Sequence, residues 1–362
     1  MQESSEKLHL RAAVIGVGIG QAHLSAFQDA EACDAVAVCD LDRDKAQKAA
    51  DNFGISRVYT DAQHLFEDAD VDVISVCTPN ATHMPLSIAA MKAGKHVLCE
   101  KPMAMNTAEA TSMIDVSKET GKTLGIHFNH RMNPFVAAMH RYAVAGDLGE
   151  LYFGRTLWHR RRGIPARPGF VSKKLAGGGA MIDLGVHQLD QLLHVMGHPK
   201  IKSLSSQIYT KFAKVDVPEL EMDVDDFSVA FVRFENGASA EMEISWASHH
   251  HIPEHRVLQV YGTDGGARRE LHGYQGGPND LTVYSRRHGG FQDSVISNPP
   301  AVPTVQSDFL DAIREGRDPI CSAEHGLVTM QILDALYASS DTGKEVVFDE
   351  FFASGSSEAS AA

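Results

Sequence analysis

Positive charge is scarce in this chain. Its 362 residues carry 33 Lys and Arg against 47 Asp and Glu, a formal net charge of −14. That balance argues against nucleic acid or an anionic membrane as the main partner. Long apolar runs are missing too: none reaches the roughly 18–20 residues of a membrane span, so no membrane role is expected. The opening residues, MQESSEKLHLR, lack the basic-then-apolar pattern of a secretion signal. Cysteine is sparse and odd in number. Cys33, Cys39, Cys77, Cys99 and Cys321 are scattered without metal-ligand spacing, and read as buried free thiols in a reducing cytoplasm. There is no internal repeat.

What remains is ordinary globular composition, 43% hydrophobic and 22% charged, over a length that suits two domains. In the first part, strand and helix signals alternate. LRAAVIGV, DAVAVCD, VDVISVC, KHVLC and TLGIHF read as strands; QAHLSAFQDA, DRDKAQKAADNF, HMPLSIAAMKAG and TAEATSMIDVSKETG read as helices. Val- and Ile-rich strands alternating with helices imply a parallel sheet covered on both faces, and the right-handed crossover rule makes it doubly wound. Beyond residue 130 the pattern changes. PFVAAMHRYAVAG is an amphipathic helix, ELYFGRTLWHR a strand, and AGGGAMIDLGVHQLDQLLHVMG a Gly-rich stretch ending in a helix. IKSLSSQIYTKF, DDFSVAFVRF, SAEMEISWAS, RVLQVYG and DLTVYS then show partial two-residue alternation, the mark of an antiparallel sheet. PTVQSDFLDAIREG and AEHGLVTMQILDALYASSDTG close the chain as helices. The expected fold is an α/β Rossmann domain over residues 1–128 and an α+β domain over 129–350 with a large, mainly antiparallel sheet. A disordered tail is expected over 351–362, small and polar in composition.

The first strand runs into Gly16-Val17-Gly18-Ile19-Gly20. Glycines between a strand and a helix permit a tight turn and close approach of backbone to a pyrophosphate, which the helix amino end then holds. The third glycine stands at +4 from the first, where the usual fingerprint has it at +5. Asp40 ends the second strand, where a carboxylate can accept hydrogen bonds from both adenosine ribose hydroxyls. Its charge would repel a 2′-phosphate, so NAD is favoured over NADP, a preference that Arg43 can soften. Capping of the helix that begins near Arg43 is the alternative role for Asp40. In an open parallel sheet, ligands lie outside the carboxyl ends of the strands. Gly16–Gly20, Asp40, Thr78-Pro79-Asn80 and Glu100-Lys101-Pro102 therefore share one edge by topology alone.

With these pieces assembled, the chain resembles the glucose–fructose oxidoreductase/inositol dehydrogenase (Gfo/Idh/MocA) family. The carrying motifs are GVGIGQAH, VCTPNATH, CEKPMA, FNHRMNP at 128–134, GGGAMIDLGVHQLD at 177–190 and SSDTGKEV at 339–346. The resemblance spans roughly residues 10 to 347. It implies that Lys101 is the catalytic lysine and that Asp183 and His187 are the paired acid and histidine. It also implies that Glu100, Asn129 and Trp158 lie near the nicotinamide or substrate, and that His83 of VCTPNATH belongs to the cofactor site with Thr78, Pro79 and Asn80. His187 suits the proton acceptor, because an imidazole titrates near neutral pH. Asp183 and His187, four residues apart, also have metal-ligand spacing. No third ligand follows at a telling distance, so no metal is expected.

The resulting expectation is an NAD-dependent dehydrogenase acting on a secondary hydroxyl of a sugar, glycoside or inositol, a small polyhydroxylated substrate. A homodimer or homotetramer built sheet to sheet is expected. Two alternatives remain open: a glycoside hydrolase that uses tightly held NAD for transient oxidation, and a non-enzymatic NAD-sensing regulator. Arg160-Arg161-Arg162 reads as a solvated charge run, Lys173 and Lys174 as surface lysines or the edge of the substrate pocket, and Ser248-His249-His250-His251 with nearby His255 as an exposed loop.

Overall fold

A computed structural model describes residues 8–273 and 280–354. The chain divides into two compact units. The first comprises Met1–Asn129 with Pro303–Val328, and the second His130–Val302 with Thr329–Ala362.

The first unit is a six-stranded parallel sheet. Its strands are β1 (Leu10–Ile15), β2 (Cys33–Cys39), β3 (Arg57–Tyr59), β4 (Val73–Val76), β5 (His96–Cys99) and β6 (Leu124–Ile126). They lie in the order β3-β2-β1-β4-β5-β6, so the strand order reverses between β1 and β4. All four residues of β4, VISV, are buried, as a strand covered on both faces requires. The connecting helices start where their side chains satisfy the free N–H groups. Asp42 caps helix Arg43–Phe53 by accepting from Asp44 and Lys45, and Asn106 caps helix Thr107–Thr120 by accepting from Glu109.

The first unit's amino-terminal segment ends at Asn129, and the second unit is interrupted where a continuous domain over 129–350 was expected. Residues 303–328 return to the first unit. Helix Val305–Glu315 brings Phe309 to full burial. A Cβ on Gly125 of β6 would lie only 2.7 Å from that ring. The Ile126 N–H donates to Cys321 O at 3.0 Å. Hydrophobic patterning marks this helix as amphipathic without saying which sheet receives it.

The second unit holds a nine-stranded sheet. Its strands are β7 (Leu151–Arg160), β8 (Ile201–Tyr209), β9 (Phe227–Phe234), β10 (Ser239–Ser245), β11 (Glu254–Gly262), β12 (Gly265–His272), β13 (Asp280–Arg287), β14 (Gly290–Ile296) and β15 (Val346–Val347). The order is β14-β13-β12-β11-β7-β10-β9-β8-β15. Only the β7–β10 pair is parallel. β9, FSVAFVRF, alternates buried with less buried positions along its length, as a sheet with one packed face demands. The packed face meets helix Val186–Val195, where a Cβ on Gly154 would come within 2.7 Å of Leu192. The same unit buries the Arg131 guanidinium against the Asp190 carboxylate, each side chain 1% exposed. The tail expected from residue 351 starts as structure: helix Phe348–Ala353 includes its first three residues. The rest of that expectation, from residue 355, lies outside the described residues.

Candidate active site

In the first unit, the turn after β1 is set by Gly16. Its φ is +87°, and a Cβ there would sit 2.5 Å from Cys77 O, so no larger residue fits. Outward, at Gly18, an added Cβ meets nothing within 4 Å, and Ile19 is 59% exposed. Gly20 opens the nine-residue helix Gly20–Gln28. Asp40 follows β2 and turns toward this loop. Its Oδ2 accepts the Val17 N–H at 3.0 Å and its Oδ1 the Asp42 N–H at 3.0 Å. Helix capping belongs to Asp42 and not to Asp40. A carboxylate offers about four acceptor positions, so Asp40 keeps capacity for ribose hydroxyls. An open glycine loop, a helix amino end and an acid at the tip of β2 fit a dinucleotide. Arg43 is exposed at the start of the next helix.

After β4, the Thr82 hydroxyl donates to Thr78 Oγ1 or to Pro79 O, both at 2.7 Å, and Asn80 opens a short 3₁₀ turn. His83 is fully buried. Its Nδ1 lies 2.7 Å from Pro102 O and its Nε2 2.8 Å from Thr78 O. The ring therefore ties the Thr78 turn to the Lys101–Pro102 turn. Its nitrogens are occupied, so it braces the loop where a direct cofactor contact was expected.

Glu100 is likewise committed. Its Oε1 accepts from His23 Nε2 at 2.9 Å and His127 Nδ1 at 2.8 Å, and its Oε2 accepts the Lys101 N–H at 3.1 Å. Burial opposes its ionisation, but the two imidazoles outweigh burial and hold the carboxyl well below the usual carboxylate range. Ser75 Oγ lies 2.7 Å from His23 Nδ1, and Gln306 donates to His127 Nε2 at 3.1 Å. A carboxylate with three donors clamps the backbone on which the half-buried Lys101 side chain stands. His23, Ser75, His127 and Gln306 were not singled out by sequence. Their separations, 77 residues between His23 and Glu100 for example, leave no local motif. Asn129 lies in an exposed turn beyond β6.

In the second unit, Asp183 sits in a single π-helical turn, Met181–Gly185, that runs into helix Val186–Val195 carrying His187. Such turns recur at functional sites because they re-aim side chains without ending the helix. The Trp246 indole donates to Asp183 Oδ2 at 3.0 Å. The His187 ring stacks on His130 with centroids 4.1 Å apart, and His130 stacks on Trp158 at 5.5 Å. Trp158 itself is 4% exposed. Its indole N–H donates to Glu254 at 2.5 Å, and Arg256 lies 3.8 Å above the ring. The group expected near the nicotinamide thus has its polar atom spent inside this unit.

The π turn is anchored by Asp225, another residue that sequence reading passed over. Its Oδ1 accepts from the Gly179 N–H and the Tyr337 hydroxyl, each at 2.7 Å. Its Oδ2 accepts from the Met181 N–H at 2.8 Å and Ser228 Oγ at 3.0 Å. A Cβ on Gly179 would lie 1.9 Å from Asp225 O. The glycine run is therefore a seat for this aspartate.

Of the remaining expectations, Lys173 and Lys174 are exposed. The arginine run is less free than expected: Arg161 donates to the carbonyls of His250 and His251, and Arg162 pairs with Asp216 at 3.3 Å. All five cysteines are free and buried. Burial pushes the Cys33 and Cys39 thiols up to about 12. Among the described residues no helix is long and apolar enough to cross a membrane.

Comparison with known proteins agrees with this geometry. A family profile described as an oxidoreductase family with an NAD-binding Rossmann fold matches residues 10–128, and the GFO/IDH/MocA C-terminal domain matches residues 136–268. D-glucoside 3-dehydrogenase of Escherichia coli (strain K12) is 31% identical over 360 residues, covering 96% of this chain and 99% of its own. Myo-inositol 2-dehydrogenase of Thermotoga maritima is 25% identical, with 94% and 99% covered. A solved levoglucosan dehydrogenase in complex with NADH and L-sorbose superposes with a TM-score of 0.83 at 25% identity, covering 94% of this chain and 99% of that one. The chain belongs to the Gfo/Idh/MocA family of NAD-binding oxidoreductases.

Proposed function

We propose that this protein oxidises one secondary hydroxyl of a sugar, glycoside or inositol, with NAD as the hydride acceptor. The observation that carries the reading is Lys101, held at the carboxyl end of β5 by the clamped Glu100 and His83 in the sheet that bears the glycine loop and Asp40. The relatives' substrates, a glucoside and an inositol by name, support the same class. NAD, when bound, supplies the electrophilic ring that takes the hydride. The ammonium of Lys101 stabilises negative charge as the hydroxyl loses its proton. His187 takes that proton, and Asp183, fixed by Trp246, binds a neighbouring hydroxyl. Asp40 supports NAD over NADP, since its charge opposes a 2′-phosphate.

The test is to mix the protein with NAD, and separately NADP, and glucosides, free pyranoses, inositols and uronates, following the near-ultraviolet absorbance of the reduced cofactor. Stoichiometric NADH with one class is expected. Release of free sugar without net reduction would instead establish hydrolysis, and NADP as the far better cofactor would overturn the role of Asp40.

We also propose a cytoplasmic homo-oligomer, dimer or tetramer. Five buried thiols support the reducing compartment. The sheet face turned away from helix Val186–Val195 carries Phe153, Tyr209, Phe227, Phe231 and Tyr261, by register with Arg155 and His159. Aromatic side chains spread over such a face favour pairing with a second copy. Light scattering at micromolar protein should give at least twice the 39.3 kDa chain mass, and a monomer would refute this arrangement.

A further inference from the structure

We propose that His255, Glu270 and His272 form a binding site for a divalent transition-metal ion, zinc in the first instance, on the outer face of the second unit's sheet. The expectation of an exposed histidine loop holds for His249 and His251. It fails for His255, which lies in β11.

Strand geometry brings the three side chains together. His255 and His272 are direct partners in the antiparallel β11–β12 ladder. Glu270 precedes His272 by two residues and so shares its face. The Nε2 atoms of both histidines converge on one oxygen, Glu270 Oε1, at 2.6 and 3.2 Å. All three ligand atoms lie within 4.8 Å of one another. Zinc bonds of about 2.0–2.2 Å in a tetrahedron place ligand atoms about 3.3 Å apart, so only small side-chain adjustments separate this arrangement from a coordination shell.

The surroundings suit an ion. Arg268 holds the other carboxylate oxygen, with Nη2 at 2.7 Å and Nε at 3.1 Å, which orients Glu270 and leaves Oε1 as a single ligand atom. His250 stacks against His255 with centroids 5.5 Å apart and limits its rotation. In the single chain the His272 side chain is 48% exposed, so an ion can enter before the pairing proposed above covers this face, and a coordination position is left for water. Two imidazoles and one carboxylate are a borderline donor set, which selects zinc, nickel or copper over magnesium or calcium.

The other convergent group among the described residues, His23, Glu100 and His127, carries no such proposal. Its atoms are buried and already bonded to Ser75, Gln306 and the Lys101 N–H.

The test is calorimetric titration of the full chain, stripped with a chelator, with zinc chloride at neutral pH. The His255→Gln/His272→Gln double variant is run beside it, with its fold checked by circular dichroism. Wild type should take up one more zinc per chain than the double variant, or bind it about 100-fold more tightly. Glu270→Gln, which keeps the strand pairing, should weaken uptake in the same direction. Cobalt should give the wild type alone a visible low-symmetry absorption band. A wild type that takes up no zinc at sub-millimolar concentration, or a folded double variant with the same stoichiometry and affinity, overturns the assignment.

Discussion

Lys101→Met lowers kcat by about 10²–10⁴-fold and leaves NAD affinity nearly unchanged. Methionine keeps the unbranched length of the side chain and removes only the charged, proton-bearing end. The backbone beneath it stays in place, because Glu100 accepts the residue-101 N–H at 3.1 Å whatever the side chain. His83 still reaches the carbonyl of Pro102 at 2.7 Å. The variant should therefore melt with the wild type and still bind NAD, as measured by quenching of protein fluorescence. Steady-state kinetics with the best substrate from the screen supplies the decisive number. A variant with more than a tenth of wild-type kcat removes Lys101 from the chemistry. A parallel loss of NAD binding would show a structural role instead.

Asp225→Ala destabilises the second unit by about 3–5 kcal/mol, taking roughly 1 kcal/mol for each of four buried donors left without an acceptor. Those donors are the N–H groups of Gly179 and Met181 and the hydroxyls of Ser228 and Tyr337. Burial and the Asp225 charge hold the Tyr337 phenol well above its usual range, so it remains a donor. Because Gly179 and Met181 bracket the entry to the π turn, the loss should reach function as well. Asp183 and His187 lose their fixed backbone, and kcat should fall even at temperatures where the variant is folded. Urea unfolding followed by tryptophan fluorescence reads the stability, since Trp158 and Trp246 both lie in this unit. Asp225→Asn, which keeps the shape but turns an NH₂ toward two donors, should fall between alanine and wild type. An alanine variant within about 1 kcal/mol of wild type would show that water replaces the carboxylate.

Much of this architecture is legible from the residue pattern, and the failures have physical causes. Five of the six parallel strands were readable because burial on both faces makes them largely apolar, as in VISV, where Ser75 is the one polar residue and all four are buried. β12 was not, because its sequence, GGARRELH, puts Arg268, Glu270 and His272 on the outer face and a largely buried arginine, Arg269, on the other. β3 is only three residues long and half-exposed. In the candidate site, residues presented by loops and strand ends can be singled out from sequence, since glycine turns and strand-terminal acids have fixed positional logic. The bracing residues were not. The resemblance set His83 and Glu100 near the cofactor, whereas the pairings of His83 with Pro102 and of Glu100 with His23 span 19 and 77 residues and leave no local signal. Asp225 stands 42 residues beyond Asp183; only the intolerance of Gly179 for any side chain, a property of three dimensions, connects them.

The return of residues 303–328 to the first sheet bears on biosynthesis. A nascent chain can lay down six parallel strands early, yet the groove beside Gly125 stays unfilled until Phe309 leaves the ribosome. The intervening segment, 130–302, must be accommodated while an amino-terminal neighbour is still incomplete. Excising the cofactor half as a stand-alone reagent therefore calls for splicing 303–328 back onto residue 129 through a short linker, because truncation there would leave an oily slot open to aggregation.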